Sequence, residues 1–387
     1  MSATRYSSLE MIERLVGFDT TSSKSNLALI DFAEAYLAAH GVASRRSSGE
    51  DGKANLFATL GPEIAGGVVL SGHTDVVPVD GQDWSCDPFT LRQADGRLYG
   101  RGSADMKSFL AIALALVPEA LAAGLKTPIH LALTYDEEVG CFGVGPLLAD
   151  LKANLPPPRI VIIGEPTSLR IVNAHKGDWT FRTTVTGREA HSGQPHLGAN
   201  ALHAAIELAH LITVMAAEER DNVPADCPFE PPYTSFNVGT FQGGTAQNIV
   251  ARECSFTWEI RALPGETGER FVERFNRFAE TEVLPKLRET APEAAIVTET
   301  VARVPPLTPE DGSPAEDLIR ALTGANDTAV VSFGTEGGLY QEAGFSTVIC
   351  GPGSIDQAHR PDEFIEISQV EACERFMRTL IDWAARG

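Results

Sequence analysis

Four apolar runs in this chain each give way, at their last residues, to side chains that bind divalent metal. They are Val68-Val69-Leu70-Ser71-Gly72-His73-Thr74-Asp75, Leu131-Ala132-Leu133-Thr134-Tyr135-Asp136-Glu137-Glu138, Ile160-Val161-Ile162-Ile163-Gly164-Glu165 and Val348-Ile349-Cys350-Gly351-Pro352-Gly353, the last followed by His359. Short apolar runs of this kind read as buried strands. Open α/β sheets bind ligands beyond the carboxyl ends of their strands, so ligands repeated at several such ends point to one shared site. Asp105, in the glycine-containing turn Gly100-Arg101-Gly102-Ser103-Ala104-Asp105-Met106, is a further candidate. The pattern predicts an α/β metal-dependent hydrolase.

The rest of the chain supports that architecture. Helical periodicity is found over residues 7–17, 26–40 and 107–123, and strand patterns over 55–60, 67–71, 129–135 and 159–164. This alternation marks a largely parallel sheet covered by helices. Beyond Gly177 the rhythm changes to strand (179–186), helix (199–215), two strands (234–241 and 251–263), a charged helix (266–289) and a last strand (295–303). That β-α-β-β-α-β order is a split βαβ unit. The predicted fold class is α/β. A discontinuous catalytic domain, residues 1–177 and 306–387, holds a mixed, mainly parallel sheet flanked by helices. An inserted two-layer α+β domain spans residues 178–305, with the proline-rich stretch 224–232 as a long loop.

Charge narrows the partners. Fifty-two acidic side chains against thirty-one basic ones leave −21 at neutral pH, which argues against nucleic acid or an anionic membrane surface. No apolar run reaches the ~18 residues of a spanning helix, and residues 1–6 lack the apolar core of a signal peptide. The six cysteines are scattered with no CxxC pair. Reduced thiols in a cytoplasmic protein are expected, and a zinc–thiolate centre is disfavoured.

A histidine after a strand is weak evidence alone, and adjacent glutamates are usually solvated. Together, His73, Asp105, Glu138, Glu165 and His359 form a nitrogen and oxygen donor set that suits two divalent ions, with Asp105 able to bridge them. Zinc fits this mixture best; cobalt and manganese fit the same donors. Asp75, two residues after His73, is expected to accept the imidazole's other N–H. Neighbours on a regular strand point oppositely, so Glu137 and Glu138 share a site only if the strand ends before them. Gly140 and Gly143 are expected to permit that turn. Glu138 would then bind metal, and Glu137 would serve as general base toward water.

The segments Ser71-Gly72-His73-Thr74-Asp75-Val76-Val77-Pro78, Gly100–Lys107 and Asp136-Glu137-Glu138 resemble the acetylornithine deacetylase / succinyl-diaminopimelate desuccinylase family of co-catalytic zinc amidohydrolases. The likeness covers nearly the whole chain, and spacings of 32 (105−73), 33 (138−105), 27 (165−138) and 194 (359−165) follow the family's ligand order. The resemblance implies that His73 and Glu165 hold one ion, Glu138 and His359 the other, and Asp105 both. It implies a cis peptide after Asp105. In the insert, Gly187–Pro195 resembles the family's lid motif, which implies a homodimer through that domain and His191 acting across it on the scissile carbonyl. Gly243–Asn248 and Ile260-Arg261 resemble lid segments that hold substrate, so Asn248 and Arg261 are substrate-binding candidates. The planar fork of Arg261 suits a carboxylate, against a surface ion pair as the plainer role. The run Ser332–Gly338, with Thr335 as a further substrate contact, and Cys350–His359 are similar to the branch that cleaves N2-acetyl-L-ornithine. A small acylated amino acid is therefore the implied substrate.

Other motifs fail. His196, His203 and His210 fall seven apart with no interleaved carboxylates, which fits a solvated or interface stripe. Met106 stands where a phosphate loop needs glycine, and neither a GxSxG elbow nor an HExxH helix is present. A two-metal phosphoesterase would need more cations than this acidic chain offers. A dead scaffold would lack a ligand or base, and none is missing.

Overall fold

The strand Val68–His73 is buried along its whole length, as are Ile129–Thr134 and Ile160–Pro166, which is why all three read as unbroken apolar runs. The computed structural model describes residues 4–49, 52–154 and 156–387. Met1 to Ala3, part of the N-terminal stretch read above, lie outside the described residues, as do Glu50, Asp51 and Leu155.

Contacts divide the chain into two units. The first runs to Ala174 and takes in Leu307–Ala329 and Thr335–Gly387; the second is His175–Pro306 with Val330–Gly334. An eight-stranded mixed sheet has the order Ser44–Ser47, Asn55–Leu60, Ile129–Thr134, Val68–His73, Ile160–Pro166, Ser346–Gly351, Ile171–His175, Thr328–Val331. Its four central strands are parallel, with Val68 opposite both Ile129 and Ile160 and Ser346 opposite Ile160. That common register brings His73, Glu165 and the residues after Thr134 to one edge. Helices Ser8–Val16, Leu27–Ala39, Lys107–Ala115, Pro314–Thr323 and Ile367–Arg386 flank the sheet and share its core. Ser7 starts the first of them through a reciprocal capping box with Glu10.

The second unit has the predicted β-α-β-β-α-β order. Its antiparallel sheet runs Ser235–Gly243, Glu253–Ala262, Gly177–Thr186, Ala295–Val304. Burial alternates along its two central strands, so one face meets the helices. The helix Ala201–Asp221 is long and apolar enough to cross a membrane by composition. Here it is a core helix, with Ala204, Ala205, Leu208, Ile212 and Met215 buried in this unit.

Two helices differ from their sequence reading. The apolar stretch 107–123 breaks at Leu116 into Lys107–Ala115 and Val117–Ala123, with a proline at the start of the second. The charged stretch 266–289 becomes Glu269–Phe278, a π turn Ala279–Val283 and Leu284–Arg288, where Pro285 again marks the join.

His130, on a central strand, stacks on Phe57 and meets the Thr59 hydroxyl at 2.9 Å, while its Nε2 is buried without a partner. Burial pushes this imidazole down to about 4, so the folded protein keeps it neutral. The unfolded chain takes up the proton near pH ~6.5. The residue's contribution to stability is complete above that pH and is lost as pH falls toward 4, by about 3 kcal/mol in all. Denaturant unfolding across that window is expected to show this slope and His130→Leu to flatten it. An equal slope in the variant would assign the acid sensitivity to other groups.

Candidate metal centre

Close packing sets the position of Asp105. A Cβ on Gly72 would lie 2.4 Å from Met106 Cε, and one on Gly164 2.1 Å from the Phe109 ring. These glycines let Met106 and the helix Lys107–Ala115 lie directly on the strands, with Asp105 at their ends. Glu363 then grips the turn. It accepts from the amides of Gly102 (3.2 Å), Ala104 (2.8 Å) and Asp105 (3.1 Å), and is paired with buried Arg101 at 2.7 Å. Sequence reading misses this pairing, because Arg101 stands in the turn motif but a lone glutamate 262 residues further on carries none. The peptide between Asp105 and Met106 is cis.

The five proposed ligands meet in the first unit. His73 Nε2 lies 3.0 Å from Asp105 Oδ1 and 3.8 Å from Glu165 Oε1. On the other side, His359 Nε2 lies 3.5 Å from Asp105 Oδ2 and 3.0 Å from Glu138 Oε2. The two carboxylate oxygens of Asp105 thus face two different histidines. Ligand atoms of His73, Asp105 and Glu138 lie within 4.8 Å of one another, and so do those of His73, Glu137 and Glu165. His73, Asp105 and Glu165 are buried, whereas the His359 side chain is 53% exposed.

Electrostatics asks for cations here. Burial, reinforced by Asp105, pushes Glu138 up to about 6 and Glu165 well above the usual carboxylate range. Glu137 is likewise raised well above it, by burial first, with Glu138, Asp105 and Glu336 adding to the shift. Asp105 alone is held low, because hydrogen bonds from His359 and His73 outweigh its burial. Glu165 Oε1 is buried with no hydrogen-bond partner. Four carboxylates and two imidazoles, one oxygen left unmatched, fit divalent ions that protein donors alone do not replace.

Asp75 does more than the sequence suggests. The nearest acceptor to His73 Nδ1 is the Asp75 backbone carbonyl at 2.9 Å, its carboxylate standing at 3.6 Å. That carboxylate instead accepts from the amides of Glu137 (3.2 Å) and Glu138 (3.3 Å) and from Ser22 Oγ (2.7 Å). The turn that brings both glutamates inward uses Gly140, at φ 125°, as expected, but not Gly140 alone. Asp136 itself adopts a left-handed conformation at φ 56°, a region Asp tolerates better than most residues. Gly143 serves by close approach, since a Cβ there would meet Tyr135 O at 1.9 Å. Glu336 is a further buried carboxyl, facing Ser71 and Thr134 and pushed up to about 7 by burial. It lies in the run Ser332–Gly338 noted in the sequence, where nothing singles it out.

Thr335 is fully buried, and its hydroxyl accepts from the Gly337 amide at the start of the helix Gly337–Glu342. The remaining candidates lie in the second unit. His191 is exposed; its Nδ1 accepts from the Gly193 amide at 3.0 Å, which leaves the proton on Nε2. Asn248 is exposed, its backbone carbonyl accepting from the Ser192 amide at 3.0 Å. The Arg261 guanidinium is paired with Asp178 (3.0 Å) and Glu259 (2.9 Å), the ion-pair role weighed above. His196, His203 and His210 are exposed.

Histidines and carboxylates gathered at the carboxyl edge of a mixed sheet, with a separate α+β unit inserted in the chain, define a metal-dependent hydrolase. The chain belongs to the peptidase family M20/M25/M40, whose pattern matches residues 69–383. It is 36% identical over 376 residues to an acetylornithine deacetylase of Myxococcus xanthus, covering 94% of this chain and 93% of that one. It is 36% identical over 374 residues to an acetylornithine deacetylase of Yersinia pestis, covering 94% and 92%. Among solved structures, an M20 family metallo-carboxypeptidase from Sulfolobus solfataricus superimposes with a TM-score of 0.78 at 16% identity, over 99% of this chain and 100% of the other. A dinuclear metal binding peptidase of Bacillus subtilis gives 0.62 at 14% identity, over 98% of each. The protein is a metal-dependent amidohydrolase.

Proposed function

We propose that this protein removes the acetyl group from N2-acetyl-L-ornithine, giving L-ornithine and acetate for arginine synthesis. The observation that carries the chemistry is Asp105, its two oxygens turned to His73 and His359 with Glu137 beside them. The substrate rests on the matched relatives, which are acetylornithine deacetylases along nearly their full length.

In this reading His73 and Glu165 would hold one divalent ion and Glu138 and His359 the other, with Asp105 available to both; zinc suits the donors best, with cobalt an alternative. Bound there, the ions would supply Lewis acidity for water and for the scissile carbonyl. Glu137 takes the proton from the attacking water and returns it to the departing amine nitrogen. His191, with its proton on Nε2, donates to the carbonyl oxygen as charge develops there. Residues 178–305 act as a lid and dimerisation domain and residues 1–177 and 306–387 as the catalytic domain, so that His191 of one subunit serves the other's site. Asn248, Thr335 and Arg261 are assigned to the substrate, Arg261 by exchanging its present carboxylates for that of the substrate. Six free cysteines and an acidic composition suit the cytoplasm.

The test is turnover of N2-acetyl-L-ornithine beside N-succinyl-diaminopimelate, acetyl-methionine and a dipeptide. Dominant acetylornithine cleavage, lost on chelation and regained with zinc or cobalt, is expected. Preference for another amide would overturn the substrate, and cleavage of none after metal loading would overturn the catalytic reading.

A further inference from the structure

The turn carrying Glu137 and Glu138 is held from a distant part of the chain. Lys53 Nζ lies 2.7 Å from Asp136 Oδ1 and 2.6 Å from Oδ2, and it also donates to the Ser22 carbonyl at 2.8 Å. Ser22 Oγ in turn donates to Asp75, whose carboxylate receives the amides of Glu137 and Glu138. The contacts close into a ring: Lys53, Asp136, the two glutamates, Asp75, Ser22 and back to Lys53. Neither charged side chain is open to water, with Lys53 15% and Asp136 4% exposed. The neighbouring residue is fixed too. Asn26 exchanges two hydrogen bonds with Ala54, at 2.9 and 3.0 Å.

Asp136 sits in the left-handed region, where a side chain other than glycine is held at some cost. A buried ion pair gives little net stability, and its best-attested use is to fix one conformation among several. Here the conformation fixed is the one that turns both glutamates to the same side. We propose that Lys53 is a positioning residue for Glu137 and Glu138, acting through its ion pair with Asp136. The proposal rests on the catalytic reading of those glutamates given above.

The test compares Lys53→Met, Asp136→Asn and the double variant in the full-length protein. Asparagine keeps both the shape and the left-handed tolerance of aspartate, so Asp136→Asn probes the charge without removing the turn. Each single variant is expected to lower kcat by about 10- to 100-fold with little change in KM, the usual scale for groups that orient metal ligands. Cobalt titration of the metal-free protein, followed by its visible absorption, should show one of two binding steps weakened by a similar factor. The double variant should be no worse than the poorer single one, because both remove the same contact. Additive losses, or unchanged cobalt binding in folded Asp136→Asn, would overturn the proposal. The cobalt titration uses no substrate, so an error in the acetylornithine assignment does not alter its outcome.

Discussion

Glu137→Gln is expected to lower kcat by about 100- to 10,000-fold while the protein keeps its full complement of divalent metal. Glutamine preserves the shape and the backbone anchoring to Asp75, and it removes only the ability to carry a proton. The position makes this a sharp test. Glu137 lies close enough to His73 and Glu165 for a ligand role, so metal analysis beside the kinetics separates base from ligand. Loss of one ion with the activity would assign Glu137 to the metal and leave the base unidentified. Cys141 donates its thiol hydrogen to Glu137 Oε1 at 3.6 Å, a weak contact that orients the carboxyl without competing for its proton.

The second large effect is recovery of function from two inactive proteins. Subunits bearing His191→Ala and subunits bearing Glu137→Ala should each be nearly inactive. If His191 acts across a dimer, exchange between them creates mixed dimers with one intact site. Equal mixing should then restore roughly a quarter of the wild-type activity, as expected for a two-fold symmetric pair. The exposed imidazole of His191, its proton directed to Nε2 by Gly193, is what a donor to a neighbouring chain requires. No recovery after demonstrated exchange would return His191 to its own subunit or to a role outside catalysis.

The polar ends of the strands that gather at the candidate site are readable in the sequence because physical demands change abruptly there. A buried parallel strand must be apolar throughout, so His73 and Glu165 stand out against the runs that carry them. The inserted unit is readable for the opposite reason, since its half-exposed strands alternate. The shortest strands are not. Ser44–Ser47, Ile171–His175 and Phe364–Glu366 are short, and the polar Ser44–Ser47 has no apolar period to find. The supports of the site escape as well. Glu363 holds the Asp105 turn through backbone amides, and Lys53 reaches Asp136 across 83 residues. Contacts made by single side chains over such distances leave no spacing for a motif to record. Gly140, at φ 125°, meets the expectation of a glycine in this turn, whereas the left-handed backbone of Asp136 escapes it, because glycine is the default residue there and aspartate is a less frequent substitute.

The arrangement of the centre also bears on how the chain comes to hold it. Helices and neighbouring strands can form early, since their partners are close in sequence. The centre is different. His73, Asp105, Glu138 and Glu165 are separated from His359 and Glu363 by the whole inserted unit, and closing so long a loop is entropically unfavourable until the C-terminal strands dock. High affinity for metal should therefore arise late in refolding, with that docking. Metal uptake would then be a kinetic reporter of the finished tertiary structure rather than the nucleus that starts it.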